Sequence, residues 1–418
     1  MREFQNKKGV MFIGGMPTTK IAERFGTPVM VTDEEALRQN YRAIYKAFND
    51  RFPTRVNYAC KANTNLSLLR ILEQEGSCID AVSIGEVEAC LRAGFVPERI
   101  MYTGVSVSPG EMKAVADKKV PINVDSVNGM RRLAGISPKH PISLRVNPDI
   151  GSGHSAKVVT GVKGAKFGIP KEEIVAAYSE ALKMGFLPRG LHAHTGSGGS
   201  DPAVFGKVTE VLVEISEKVR SELGLQLEFI DIGGGIGIPY RPEEKPTDLD
   251  AVAEEVTSKL KGSHVRTLII EPGRYIVADT TVLLTRVNDV KSTPVKDYAL
   301  VDAGFNTLIR PAFYDSYHHV AVANKFGNEA VVTYDVAGPI CESGDYLAKE
   351  RKLPPVDVGD LLCVYDVGAY GFTMSSNYNT RPRCAEVLVQ DGRAFLIRER
   401  ENIEDLFRHQ KVPARLRA

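Results

Sequence analysis

A lysine placed where a short apolar strand gives way to a helix is the residue around which the chemistry of this sequence gathers. The run 56–60 has strand character, Asn63 to Asn65 offer helix-capping side chains, and 66–73 is amphipathic, so Lys61 ends a strand. In a parallel α/β protein that is where reactive side chains collect, and a partly desolvated lysine there can form a Schiff base with a carbonyl. Taken alone, a lysine is more often a solvated surface charge. Three other stretches alter that balance. In 191–199 a strand ends in His194, with His192 on the same face, and Ser197 and glycines follow. Such a histidine can stack on a planar ligand while Ser197 donates to a phosphate; a satisfied core histidine is the plainer reading. In 230–237 a strand is followed by Gly233, Gly234 and Gly235, which let backbone N–H groups approach an anion. The pattern is not GxGxxG, no acid is spaced for a dinucleotide, and a tight turn explains it equally well. In 269–274 an apolar strand delivers Glu271 and Arg274 around Pro272 and Gly273, the plainer alternative being an internal salt bridge.

Together these features fit one cofactor, pyridoxal 5'-phosphate. A lysine holds the aldehyde as an imine, glycines hold the phosphate, and Glu271 keeps the pyridine nitrogen protonated so that the ring can accept carbanion electrons.

The elements that must position these residues alternate. Strand-like runs at 28–31, 56–60, 78–82, 99–102, 120–124, 142–146, 190–194, 228–232 and 267–270 are separated by helical patterns at 34–49, 84–93, 111–118, 171–183, 203–223 and 249–260. This predicts a (β/α)8 barrel, a fold of about 250 residues, over 25–278, with a doubly wound open sheet as the alternative. The segment 147–169, rich in glycine, lysine and small residues, is long for a loop and is expected to be partly disordered or to close over the site. After 278 short β-type runs separated by turn residues predict an all-β barrel or sandwich, formed by 279–418 with 1–24 contributing.

Composition narrows the partners. At 418 residues two domains are expected. Fifty-three basic against 52 acidic residues leave a formal charge of +1, so no field of one sign draws in nucleic acid or an anionic membrane. The start of the chain is polar, 10–13 is too short for a signal segment, and no run approaches a membrane span. The six cysteines have neither CxxC pairing nor zinc spacing; no metal site is expected, and they read as reduced thiols of a cytoplasmic protein.

The second region carries a denser constellation than an exposed β-domain needs. It contains Val301 to Asn306, Arg310 to Tyr314, Ser316 to His319, Gly338 to Asp345, Asp366 to Gly371 and Met374 to Asn379. With the Cys-Glu-Ser-Gly-Asp and Ser-Ser-Asn-Tyr-Asn stretches among them, the chain resembles the bacterial diaminopimelate decarboxylases, from about Tyr58 to Arg398 and in the same order. That group combines an alanine-racemase-like barrel with a β-domain. The resemblance implies conversion of meso-2,6-diaminopimelate to L-lysine and carbon dioxide. It assigns Lys61 as the Schiff-base lysine with Asp80 beside it, His194 as the ring-stacking residue, and Ser197, Gly233, Gly234 and Gly235 as phosphate ligands. Glu271 falls at the pyridine nitrogen, in a segment with Pro272, Gly273 and Arg274 that also touches the cofactor. Arg274, Arg310 and Tyr314 would hold substrate, Glu342 its distal amino group, and Tyr370 both phosphate and substrate. Cys341 would protonate the α-carbon. Cys341, Glu342 and Tyr370 would come from the partner of a head-to-tail homodimer. One departure is visible: Ser197 is followed by glycine where the family more often has glutamine. A related decarboxylase of basic amino acids or carboxylated polyamines, and a cofactor-carrying regulatory homologue, are the alternatives.

Overall fold

Strands too short to show a clear period are held in place by parallel pairing and by the helix caps downstream of them. In the computed structural model, which describes residues 2–151, 153 and 160–417, the strands Thr54–Ala59, Cys78–Ala81, Ile100–Tyr102, Ile122–Val124, Ile142–Asn147, Gly190–His192, Phe229–Asp231 and Thr267–Ile270 pair in parallel in that order. Ile270 lies opposite Val56, which closes the barrel. Apart from Arg55 and Thr267 every residue of these strands is buried, as expected for parallel strands covered on both faces. Helices begin soon after the strands at side-chain caps. Asn65, Ser83, Ser126, Asp201 and Asp248 each accept a backbone N–H from the first turn of the helix they start.

One expected barrel strand belongs elsewhere. Val29–Asp33 pairs in parallel with Ala385–Gln390 and antiparallel with Thr281–Ser292. An apolar run buried on both faces looks the same in sequence whether it serves a parallel barrel or the middle of a mixed sheet; the pairing decides. The expected boundary at residue 25 therefore moves. One compact unit comprises Met1–Ala36, Tyr240–Glu244 and Ala278–Ala418, and the other Leu37–Pro239 with Lys245–Val277.

The sheet-rich unit runs Tyr346–Leu353, Val332–Ala337, Asp297–Val301, Thr281–Ser292, Val29–Asp33, Ala385–Gln390 and Arg393–Arg398 in spatial order. Thr281–Ser292 is its spine. Its residues alternate between two cores: Leu283 and Val287 join Met30, Val336 and Val364, whereas Val282 and Leu284 join Val29, Val31 and Val387. The chain start, expected to add a strand here, instead forms its own three-stranded antiparallel sheet, Gln5–Lys7, Val10–Ile13 and Met16–Pro17, which feeds Met11 and Ile13 into the second core.

Because Leu283 is fully buried opposite Met30 and Val364, Leu283→Ala should lower unfolding stability by about 2–5 kcal/mol. A denaturant midpoint within error of the parent would show that this spine is not the core described.

Candidate active site

The barrel strands end in charge. Lys61 lies in a single 3-10 turn, Cys60–Ala62, directly after Thr54–Ala59. That turn is tied down on both sides. Tyr58 Oη donates to the Asn63 carbonyl at 2.9 Å, and Asn63 Oδ1 accepts the Asn65 N–H at 3.0 Å. Ala59 N–H donates to the Pro272 carbonyl at 3.3 Å, and a Cβ on Gly273 would come within 3.1 Å of the Ala59 carbonyl, so the 271–274 segment lies tightly against the lysine's strand.

Lys61 Nζ donates to Asp80 Oδ2 at 2.9 Å, with Asp80 almost wholly buried and Lys61 about one-third exposed. Burial first, and then the charge of Glu271, push the Asp80 carboxyl above its usual range, with Lys61 opposing them. Lys61, Asp80, Arg145, His192, His194 and Glu271 share a cavity of about 350 Å³. Burial holds both histidines well below the usual imidazole range, and nearby cations push the same way, so both are neutral near pH 7. Asp80 Oδ1 and Glu271 Oε1 are buried and meet no amide, amine or hydroxyl donor among the described residues.

Beside this cavity the loops after Gly190–His192 and Phe229–Asp231 are sewn together. Gly198 and Gly199 N–H both donate to the Gly235 carbonyl, and Gly237 N–H returns to the Gly199 carbonyl. Gly235 has φ +105°, and a Cβ there would lie 2.5 Å from the Gly196 carbonyl; one on Gly234 would lie 2.0 Å from the Glu271 carbonyl. Only glycine fits. Arg274, also buried, donates to Ser197 Oγ from Nε at 3.3 Å and Nη2 at 3.1 Å. His194 Nδ1 accepts the Gly196 N–H at 3.2 Å, which orients the ring.

Of the long segment 147–169, Thr160 and Phe167 line the cavity, and Thr160 Oγ1 donates to the His194 carbonyl at 2.9 Å. Residues 152 and 154–159 of that segment, on which part of the expected closure or disorder falls, lie outside the described residues. Three buried charged or ionisable groups of the cavity region escaped the residue-by-residue reading: Arg145, His192 as a partner of Glu271, and Asp231. The available signal was a polar side chain at an all-buried strand position, in Ile142–Asn147, Gly190–His192 and Phe229–Asp231.

The sheet-rich unit gathers the remaining expected residues into two groups. Cys341 N–H donates to Asn379 Oδ1 at 3.0 Å, Tyr378 Oη donates to Glu342 Oε1, and Asp345 accepts the N–H groups of Phe305 and Ile340 at 2.6 and 2.7 Å. These bonds brace a loop on which Cys341 and Glu342 are exposed, whereas Cys60, Cys78, Cys90, Cys363 and Cys384 are buried. Arg310, 1% exposed, donates to His318 Nε2 and Ser316 Oγ, both at 3.3 Å, and begins the short helix Arg310–Tyr314. Tyr370 adopts a left-handed conformation, φ +58°, in the loop after Leu361–Val364.

Similarity to known proteins agrees with this geometry. Residues 34–278 match the family described as pyridoxal-dependent decarboxylase, pyridoxal binding domain. The chain is 49% identical to the diaminopimelate decarboxylase of Methanothermobacter thermautotrophicus, with 98% of each chain covered, and 44% identical to that of Archaeoglobus fulgidus, over 98% of this chain and 99% of the relative. The crystal structure of the M. jannaschii diaminopimelate decarboxylase in complex with L-lysine superposes with a TM-score of 0.93 at 33% identity, covering 99% and 98% of the two chains. The chain belongs to the diaminopimelate decarboxylase family. Among its described residues no helix is long and apolar enough to cross a membrane.

Members of this family use pyridoxal phosphate, and the barrel unit passes three tests for it. Lys61 opens onto the cavity, Glu271 lines it as a buried carboxylate suited to accept from a protonated ring nitrogen, and the 233–235 run adds no side chain beside the backbone N–H groups that a phosphate would meet. As a decarboxylase of this family, the chain should lose cofactor affinity by about 10- to 100-fold on Gly235→Ala, through strain at its positive φ and the clash with Gly196. Equilibrium titration with pyridoxal phosphate measures this, and unchanged affinity would remove the glycine loop from the cofactor site.

Proposed function

We propose that this chain is a pyridoxal-phosphate-dependent decarboxylase that converts meso-2,6-diaminopimelate to L-lysine and carbon dioxide, the last step of lysine biosynthesis. The observation that carries the reading is the opening of Lys61 and Glu271 onto one buried cavity, in a chain similar to diaminopimelate decarboxylases over nearly its full length. When bound, the cofactor supplies an electron sink for the pair left on the α-carbon as carbon dioxide departs.

The chain's own residues supply binding, orientation and proton handling. Lys61 Nζ would hold the cofactor's aldehyde, and Asp80, 2.9 Å away, holds that nitrogen in place. His194, oriented by Gly196, would stack on the ring, and Glu271 would accept from its nitrogen. Ser197, Gly233, Gly234 and Gly235 hold the phosphate, with Arg274 reaching it and the substrate from beside Ser197; Pro272 and Gly273 keep that segment against the lysine's strand. Arg310, Tyr314 and Arg274 hold substrate carboxylates, Glu342 the distal amino group, and Tyr370 both phosphate and substrate. Cys341 Sγ gives its proton to the α-carbon once carbon dioxide has left. We further propose a head-to-tail homodimer in which each site takes Cys341, Glu342 and Tyr370 from the partner subunit. The exposure of Cys341 and Glu342 on a braced loop supports this.

Discrimination rests on the distal end of the substrate. Lysine lacks the distal carboxylate, so an arginine built to pair with it is left unmatched. Sites made for hydrogen bonding reject such analogues by about 10⁴-fold. Carbon dioxide release by the cofactor-loaded protein, assayed with meso-diaminopimelate, lysine, ornithine and arginine in parallel, is expected from diaminopimelate alone and should vanish in Lys61→Ala. Release from lysine or ornithine instead would overturn the distal-carboxylate assignment, and silence on all four would overturn the activity. With the same assay, Cys341→Ala should lose most of its turnover while still binding substrate; full turnover would remove Cys341 as proton donor.

A further inference from the structure

Behind Glu271 stand two buried groups to which the proposed chemistry gives no task. His192, Asp231 and Glu271 come from three neighbouring strand ends, with His192 opposite Asp231 and Asp231 opposite Ile269. None is more than 2% exposed, and one ring nitrogen of His192 and one carboxyl oxygen each of Asp231 and Glu271 lie within 4.8 Å of one another. His192 Nε2 is 3.2 Å from Glu271 Oε2. Asp231 Oδ1 accepts the Gly233 N–H at 2.9 Å, so the side chain beside Glu271 also holds the first glycine of the 233–235 loop.

The charges facing this group come from every adjoining element. Asp80 adds a third carboxyl, and Lys61 and Arg145 are the cations. Lys61 is engaged with Asp80 at 2.9 Å, and Arg145 lies 3.7 Å from Asp125. Two adjacent buried carboxyls strongly disfavour carrying charge together at neutral pH, so one keeps a proton. Burial raises both carboxyls. Asp231 is pushed well above the carboxylate range, with the charge of Glu271 adding to burial, whereas at Glu271 the effect of burial is opposed by Lys61, Arg145 and a hydrogen bond with Asp231. The histidine agrees with this division. Among the described residues His192 Nδ1 meets no hydrogen-bond partner, which suits the tautomer whose proton sits on Nε2 and points at Glu271, because Nδ1 then carries only a lone pair.

We propose that Asp231 is a positioning residue that stays protonated and donates its carboxyl hydrogen to Glu271, while neutral His192 donates from Nε2. Glu271 is thereby the one anion of the group, fixed from two sides and presented to the cavity. The inference rests on the reading of Glu271 as acceptor of the ring nitrogen. It adds the reason that a carboxylate so deeply buried stays charged: its neighbour takes the proton.

Infrared spectra of the cofactor-loaded enzyme test the proton's location directly. Near neutral pH a carbonyl stretch of a neutral buried carboxyl is expected. Part of it should move when aspartate is labelled with ¹³C at the γ-carbon, and that part should be absent in Asp231→Asn. The asparagine retains a donor for Glu271 and an acceptor for Gly233; if that variant does not fold, Asp231→Ser serves for the subtraction. A merely structural Asp231 would be ionised and would contribute no such band. No difference between parent and variant, or a band that moves with labelled glutamate instead, would overturn the proposal. Failure of cofactor binding or carbon dioxide release in the parent would overturn the proposed function, and the band would still report separately where the proton lies.

Discussion

Charge held away from water at the ends of the barrel strands is the constraint on which the site depends. Asp80, Arg145 and Glu271 would each be costly as lone buried charges, and removing one partner of a buried pair leaves the other uncompensated. The architecture meets this cost by fixing geometry before any ligand arrives. The lysine's turn is tied through Tyr58, Asn63 and Asn65, and the segment after Thr267–Ile270 lies against it through Pro272 and Gly273. A parallel barrel suits this, because neighbouring strands deliver their last side chains to one rim while backbone pairing holds their spacing.

The glycine loop obeys the same logic from the opposite direction. Where the lysine side needs side chains, the glycine side needs their absence. Gly234 and Gly235 lie so close to the Glu271 and Gly196 carbonyls that a methyl group would displace backbone, not a flexible side chain. Cross-bonding of Gly198, Gly199 and Gly237 with the neighbouring loop turns two separate turns into one rigid surface. The elements that carry carboxylate, histidine and glycines are therefore mutually dependent, since Asp231 touches both Glu271 and the Gly233 N–H.

The sheet-rich unit solves a different problem. Its spine, Thr281–Ser292, is long enough to serve two cores, and Val29–Asp33 is buried on both faces between that spine and Ala385–Gln390. Around this frame the loop bearing Cys341 and Glu342 is held by side-chain bonds: Asp345 caps two backbone N–H groups, and Asn379 and Tyr378 secure the Cys341–Glu342 pair. Reactive side chains on loops of a rigid sheet keep their exposure without losing their position.

The alternation of strands and helices, the lysine at a strand end, the glycine run and the carboxylate of the last barrel strand were all legible in sequence. Each is a local pattern: a periodicity, a cap or a backbone freedom encoded within a few residues. The tertiary structure alone decided which sheet received Val29–Asp33, because an apolar run buried on both faces carries no mark of its partners. It alone revealed Arg145 and the pairing of His192 and Asp231 with Glu271, whose meaning lies in neighbours tens of residues away. Local patterns fix what a segment can become, while pairing and buried charge are properties of segments brought together.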